Sequence, residues 1–96
     1  RIQSGSYNKK GVDEVARLIQ SSLKNNRLSF ITVKQSELGN HLLARSVCYN
    51  SETKQILMVG HMDTVFPENT SFNRYESDDK YCYGPGVIDM KGGLVI

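Results

Sequence analysis

Apolar residues at Val12, Val15, Ala16, Ile19 and Leu23, with Leu18 beside them, recur at the i, i+3, i+4, i+7 offsets of one helix face. The pattern predicts a helix over 12–26. Asp13 and Glu14 suit its positive N-terminal end, Asn25-Asn26 reads as its stop, and "SGSYNKKG" is a turn-rich lead-in. The period then changes. "LSFITVK" at 28–34 is rich in β-branched and aromatic residues and predicts a strand. "SELGN" breaks it, and "HLLARSVCY" at 41–49 predicts a second strand. The polar turn "NSETK" leads into "QILMV" at 55–59, a short and uniformly apolar run expected to be a strand buried on both faces. A polar loop at 68–80 carries a lone Phe72, a short strand is expected at 81–83, and a helix is expected to begin near Asp89. Helix, strand, strand, buried strand and helix form the opening of an α/β layered domain. Such folds place their sites at the carboxyl end of a central strand.

Composition narrows the classes without choosing one. Ninety-six residues hold one domain at most. With 39% hydrophobic and 23% charged residues the chain reads as an ordinary globular protein. The net charge of +2 comes without any Lys/Arg run, which argues against nucleic acid and anionic membrane surfaces as partners. No apolar stretch approaches the roughly 18 residues of a membrane span. Cys48 and Cys82 follow no CxxC or secreted-framework spacing and read as two ordinary thiols. The chain opens on Arg1 and stops in the apolar "GGLVI", so it is expected to be a fragment whose exposed apolar tail and unpaired strand edges drive self-association into homo-oligomers. Neither the cysteines nor the first residues select a compartment.

Two stretches carry candidate chemistry. In "GHMDTVFP", His61 and Asp63 follow the apolar run at i and i+2, on one face if the strand continues and roughly 6–7 Å apart along the chain. A carboxylate can then reach one imidazole nitrogen while the other nitrogen faces something else, for which a metal is a candidate. In "YGPGVIDMKGG", Pro85 and Gly86 fit positions i+1 and i+2 of a type II turn that aims Asp89 at a defined point, with Gly92-Gly93 allowing close backbone approach behind it. Read as a dinucleotide fingerprint, "GPGVID" lacks its third glycine. Taken alone, His61 and Asp63 also fit a strand-end histidine with a capping aspartate, and Asp89 a helix N-cap.

Together, "GHMDTV" and "YGPGVIDMKGG" at this spacing resemble the metal-site signature of the co-catalytic zinc carboxypeptidase family, which includes glutamate carboxypeptidase, acetylornithine deacetylase and succinyl-diaminopimelate desuccinylase. The wording is most similar to the glutamate-carboxypeptidase branch, and the "SGSYN" lead-in fits it too. The resemblance implies a truncated N-terminal portion, residues 1–96, of a three-layer α/β/α catalytic domain with a mixed central sheet. It implies that His61 binds one zinc ion, that Asp63 is the catalytic-site aspartate holding that imidazole, and that Asp89 bridges two metal ions. It also implies a cis peptide at Asp89–Met90.

The implied reaction is hydrolysis of an amide or peptide bond next to a free carboxylate, using two zinc ions and an activated water, on a small-molecule or peptide substrate. The family's acidic pair, a further acidic ligand and a final histidine match no position here, so the 96 residues alone are expected to be inactive and to bind zinc weakly or not at all. Deacylation of an amino acid, dipeptide hydrolysis, and a non-catalytic binding or dimerising member are the rival readings. His41 is assigned no role, Lys91 is expected to face solvent or a carboxylate, Thr64 and Pro67 shape the loop, and Tyr75, Tyr81 and Tyr83 pack near it.

Overall fold

The structure is a computed structural model and describes residues 2–95. Its elements run α1 (Lys9–Ser22), β1 (Leu28–Val33), β2 (His41–Ser46), β3 (Glu76–Ser77), β4 (Cys82–Tyr83) and a single irregular turn of π-helix at Val87–Lys91. A helix with small antiparallel sheets is consistent with the α/β class.

Helix α1 begins three residues before the apolar period does. The Asn8 side chain accepts from the Gly11 N–H at 2.9 Å and donates to the Gln3 carbonyl at 2.8 Å, so the cap rather than the first apolar residue sets the start. The helix ends at Ser22, where the Leu23 N–H closes on the Ile19 carbonyl, short of the expected Asn25-Asn26. With this earlier start, Asp13 and Glu14 lie beyond the first turn and do not serve its positive end. Asp13 instead ties the helix to the hairpin. Its carboxylate accepts from the Asn40 N–H at 2.7 Å and meets the Lys9 ammonium at 3.3 Å. Lys9 also donates to the Leu38 carbonyl and to Asn40 Oδ1, both at 3.0 Å, while Asn40 Oδ1 accepts from the Gln35 N–H.

The hairpin follows the sequence closely. β1 pairs antiparallel with β2 from Leu28↔Ser46 to Val33↔His41. Leu28 and Phe30 are half-buried, with exposed Ser29 and Ile31 between and after them. The buried apolar residues are Val12, Val15 and Ala16 on the inner face of α1, and Gly39 of the hairpin turn lies directly over Val12.

Two expectations are corrected. Residues 55–59 form no strand: Ile56, Leu57, Met58 and Val59 are 81–92% exposed. A strand exists only through its ladder partners, and among the described residues no segment pairs with this run. The helix expected near Asp89 is replaced by the π turn. Asp89 itself, at φ −115° and ψ 99°, is outside helical geometry and caps nothing. Within the loop expected at 68–80, Glu76–Ser77 pairs with Cys82–Tyr83. Phe72 anchors that loop by an edge-on contact with Phe66, centroids 5.1 Å apart. Cys48 and Cys82 are both free thiols.

Candidate metal centre

Three segments distant in sequence meet at one imidazole. The first is the lead-in. Gly5 bridges Thr64 in parallel: the Thr64 N–H donates to the Ser4 carbonyl at 2.8 Å and the Ser6 N–H to the Thr64 carbonyl at 3.0 Å. Ser4 Oγ adds a bond to the Met62 carbonyl at 3.0 Å. The approach is tight enough to require glycine between the serines, because a Cβ at Gly5 would lie 2.6 Å from the Phe66 carbonyl oxygen.

The second segment is 60–64. It leaves the exposed apolar run as irregular backbone, not as the strand the i, i+2 argument assumed. The two side chains still meet: His61 Nδ1 is 3.1 Å from Asp63 Oδ1 and 3.1 Å from the Asp63 carbonyl oxygen. Met90 secures the segment from behind, with the His61 N–H 3.4 Å from its sulfur.

The third segment carries Asp89. Gly86 sits at φ 78° and ψ 6°, and the Val87 N–H bonds the Gly84 carbonyl at 3.2 Å, the type II turn expected from Pro85-Gly86. The Lys91 N–H then closes on the Gly86 carbonyl at 2.8 Å. Asp89 emerges from this double turn with Oδ1 2.9 Å from His61 Nε2. The Asp89–Met90 peptide is cis, as the resemblance implies. Lys91, expected to face solvent or a carboxylate, is half-buried with its stem against Gly86, and burial lowers its pKa.

The resulting line runs Ser6, Asp63, His61, Asp89. Both acceptors at Nδ1 are oxygens, so that nitrogen carries a proton. Nε2 faces a second carboxylate and is most favourably protonated as well when no cation intervenes. The Asp89 hydrogen bond accordingly raises the His61 pKa above 6.5, against a smaller opposing effect of burial and with help from Asp63. The Ser6 hydroxyl, helped by the Asp63 backbone N–H and then by the His61 ring, outweighs burial to hold Asp63 below its ordinary value.

The residues fit a zinc-like cation. A tetrahedral ion at about 2.0–2.2 Å from each ligand atom would set imidazole nitrogen and carboxylate oxygen about 3.4 Å apart. The present 2.9 Å contact needs only a small opening, and the Asp89 side chain is 75% exposed and free to give it. Imidazole plus carboxylate is also the donor chemistry that zinc takes. Among the described residues, no group of three or more His, Cys, Asp or Glu side chains is placed to hold a metal ion together. His61 and Asp89 thus face a shared point, while Asp63 stands on the far side of the ring.

The structure brings together His61, Asp63 and Asp89, the three residues singled out from the sequence, and adds Ser6, which was not singled out and whose Oγ lies 2.5 Å from Asp63 Oδ2. No signal within either motif marks Ser6, because its acceptor is a carboxylate 57 positions away. Tyr75, Tyr81 and Tyr83 bond or pack among Asp78, Cys82 and each other. His41 starts β2 opposite Val33.

Comparison with known proteins finds similarity over the same part of the chain. Residues 57–96, the span holding His61, Asp63 and Asp89, match the Peptidase family M20/M25/M40. Succinyl-diaminopimelate desuccinylase of Corynebacterium glutamicum is 31% identical over 83 residues, covering 86% of this chain and 21% of that protein. Carboxypeptidase G2 of Pseudomonas sp. (strain RS-16) is 29% identical over 101 residues, covering 99% of this chain and 23% of that protein. No solved structure matches significantly. Over residues 57–96 the chain is similar to the M20/M25/M40 peptidases, and it spans about a fifth of the length of the curated relatives it matches.

Proposed function

We propose that these residues are the N-terminal portion of a three-layer zinc-peptidase catalytic domain, and that the protein hydrolyses an amide bond next to a free carboxylate. The observation that carries this reading is the His61 imidazole held between Asp63 and Asp89. In it, His61 Nε2 and the Asp89 carboxylate hold zinc. Asp63 keeps the Nδ1 proton engaged, so that the lone pair on Nε2 is the one offered. Met90 and Leu94 pack against Gly60 and fix the height at which the ring stands. Zinc, when bound, supplies the Lewis acidity that activates water and polarises the scissile carbonyl.

A glutamate-type leaving group is the favoured substrate feature, supported by the likeness to a carboxypeptidase. Deacylation of a succinylated amino acid is the second reading, supported by the likeness to a desuccinylase. Both substrates place a free carboxylate beside the cleaved amide. The 96 residues alone supply two ligands, fewer than the three or four protein ligands usual for zinc, and are expected to be inactive.

The test is hydrolysis of N-acyl-glutamates and N-succinyl amino acids by the full gene product, with chelation and zinc re-addition. Release of the free amino acid, abolished by chelator and by His61→Ala and restored by zinc in the unsubstituted protein, is expected. Zinc binding with no hydrolysis of either class would overturn the enzymatic reading in favour of a binding module.

A further inference from the structure

We propose that Ser6 is a positioning residue for the metal centre: its hydroxyl holds one oxygen of Asp63 so that the other fixes His61 in the tautomer presenting Nε2 toward Asp89. The inference rests on the reading of His61 and Asp89 as metal ligands proposed above.

A serine hydroxyl has one proton to give. Two acceptors lie within reach of Ser6 Oγ, Asp63 Oδ2 at 2.5 Å and the Thr64 carbonyl at 3.3 Å. The carboxylate is both closer and charged, and a hydroxyl–carboxylate bond near 2.5–2.7 Å is the stronger class. The Thr64 carbonyl is in any case satisfied by the Ser6 N–H. The proton therefore goes to Asp63.

That bond takes up Oδ2 and leaves Oδ1 for the ring. The Asp63 side chain is 37% exposed, so without a second tether its carboxylate could turn toward water and release Nδ1. Ser6 is itself well fixed. The main-chain bonds of Ser4 and Ser6 to Thr64 hold its Cα in place whatever its side chain. Removing the hydroxyl therefore removes the link to Asp63 and little else, which separates a positioning role from a structural one.

The experiment compares Ser6→Ala, Ser6→Thr and unsubstituted protein in two ways. Imidazole nitrogen NMR of the metal-free protein, carrying Asp89→Ala in each case to take away the acceptor that competes for a proton at Nε2, reads the His61 tautomer in alkaline buffer where the ring is neutral. Zinc titration calorimetry, with Asp89 in place, reads affinity. In the Asp89→Ala background, Ser6 left as it is and Ser6→Thr should both show a single ring form protonated on Nδ1. Ser6→Ala should show a mixture of both forms and a zinc affinity lower by about tenfold, the small end of the range for a group supporting a ligand. Unchanged tautomer and affinity in Ser6→Ala would overturn the proposal, as would equal impairment of Ser6→Thr with α1 intact by circular dichroism. Were the unsubstituted protein to bind no zinc, the metal-site reading would fall, and the ring spectra would still decide the role of Ser6.

Discussion

If His61 and Asp89 hold zinc as proposed, replacing Gly86 by alanine should remove most of that affinity while leaving α1 and its hairpin in place. Gly86 is buried at φ 78°, a left-handed conformation that costs an L-residue with a Cβ about 1–2 kcal/mol. The added methyl would also stand 2.7 Å from Thr64 Cγ2. Thr64 cannot swing away, because it is only 3% exposed and its N–H and carbonyl are both bonded to the lead-in. Overpacking of this kind adds roughly 1–2 kcal/mol. The turn relieves about 2–4 kcal/mol by rearranging, and Asp89, three residues on, leaves His61 Nε2 as it does so. Regaining the ligand geometry costs the same amount, a loss of roughly 30- to 700-fold in affinity. Zinc titration calorimetry measures the loss, and far-ultraviolet circular dichroism verifies α1. Affinity within about threefold of the unsubstituted protein would show that the Pro85-Gly86 turn does not place Asp89.

Three further outcomes follow from the same geometry. Asp13→Ala should loosen the hairpin from α1 by about 1–2 kcal/mol, at the low end for bonds to a partly exposed charge, and speed exchange of the Asn40 amide roughly tenfold. Burial opposes ionisation of Asp13, but the Asn40 N–H and Lys9 outweigh it and hold its pKa below 3.8. The protection is therefore complete above pH 3.8 and should fade as pH falls through the lowered folded value; exchange that is unchanged in that acid range would contradict the clamp. Thr64→Val should raise stability by about 1 kcal/mol in urea titration, because the buried Thr64 hydroxyl has no hydrogen-bond partner among the described residues. Leu57→Lys should reduce concentration-dependent self-association in sedimentation velocity, since residues 56–59 expose four apolar side chains in a row; a monodisperse unsubstituted chain at high concentration would count against this.

Local signals in the sequence were read well where the cause is local. The β1–β2 hairpin rests on β-branched content and a polar break, and the Pro85-Gly86 turn on the dihedral freedom of one glycine. The His61–Asp63 contact survived the loss of the strand meant to create it, because two residues of backbone keep the side chains within reach in either form. What depended on distant partners was not legible. The run at 55–59 has a strand's composition, yet composition does not supply a ladder, and the side chains stay exposed. The start of α1 followed Asn8, a polar cap that an apolar period does not register. The Ser6–Asp63 bond spans 57 positions and depends on the Gly5–Thr64 bridge, which no spacing argument within either motif contains.

The central claim is that His61 and Asp89 are joint ligands of one metal ion. The most direct measurement is zinc titration calorimetry on the full gene product, unsubstituted and with Asp89→Ala. The account predicts tight binding of two ions, lost on Asp89→Ala while α1 persists. Affinity and stoichiometry unchanged by Asp89→Ala would contradict it, leaving the 2.9 Å contact between Asp89 and His61 a hydrogen-bonded ion pair with no metal to share.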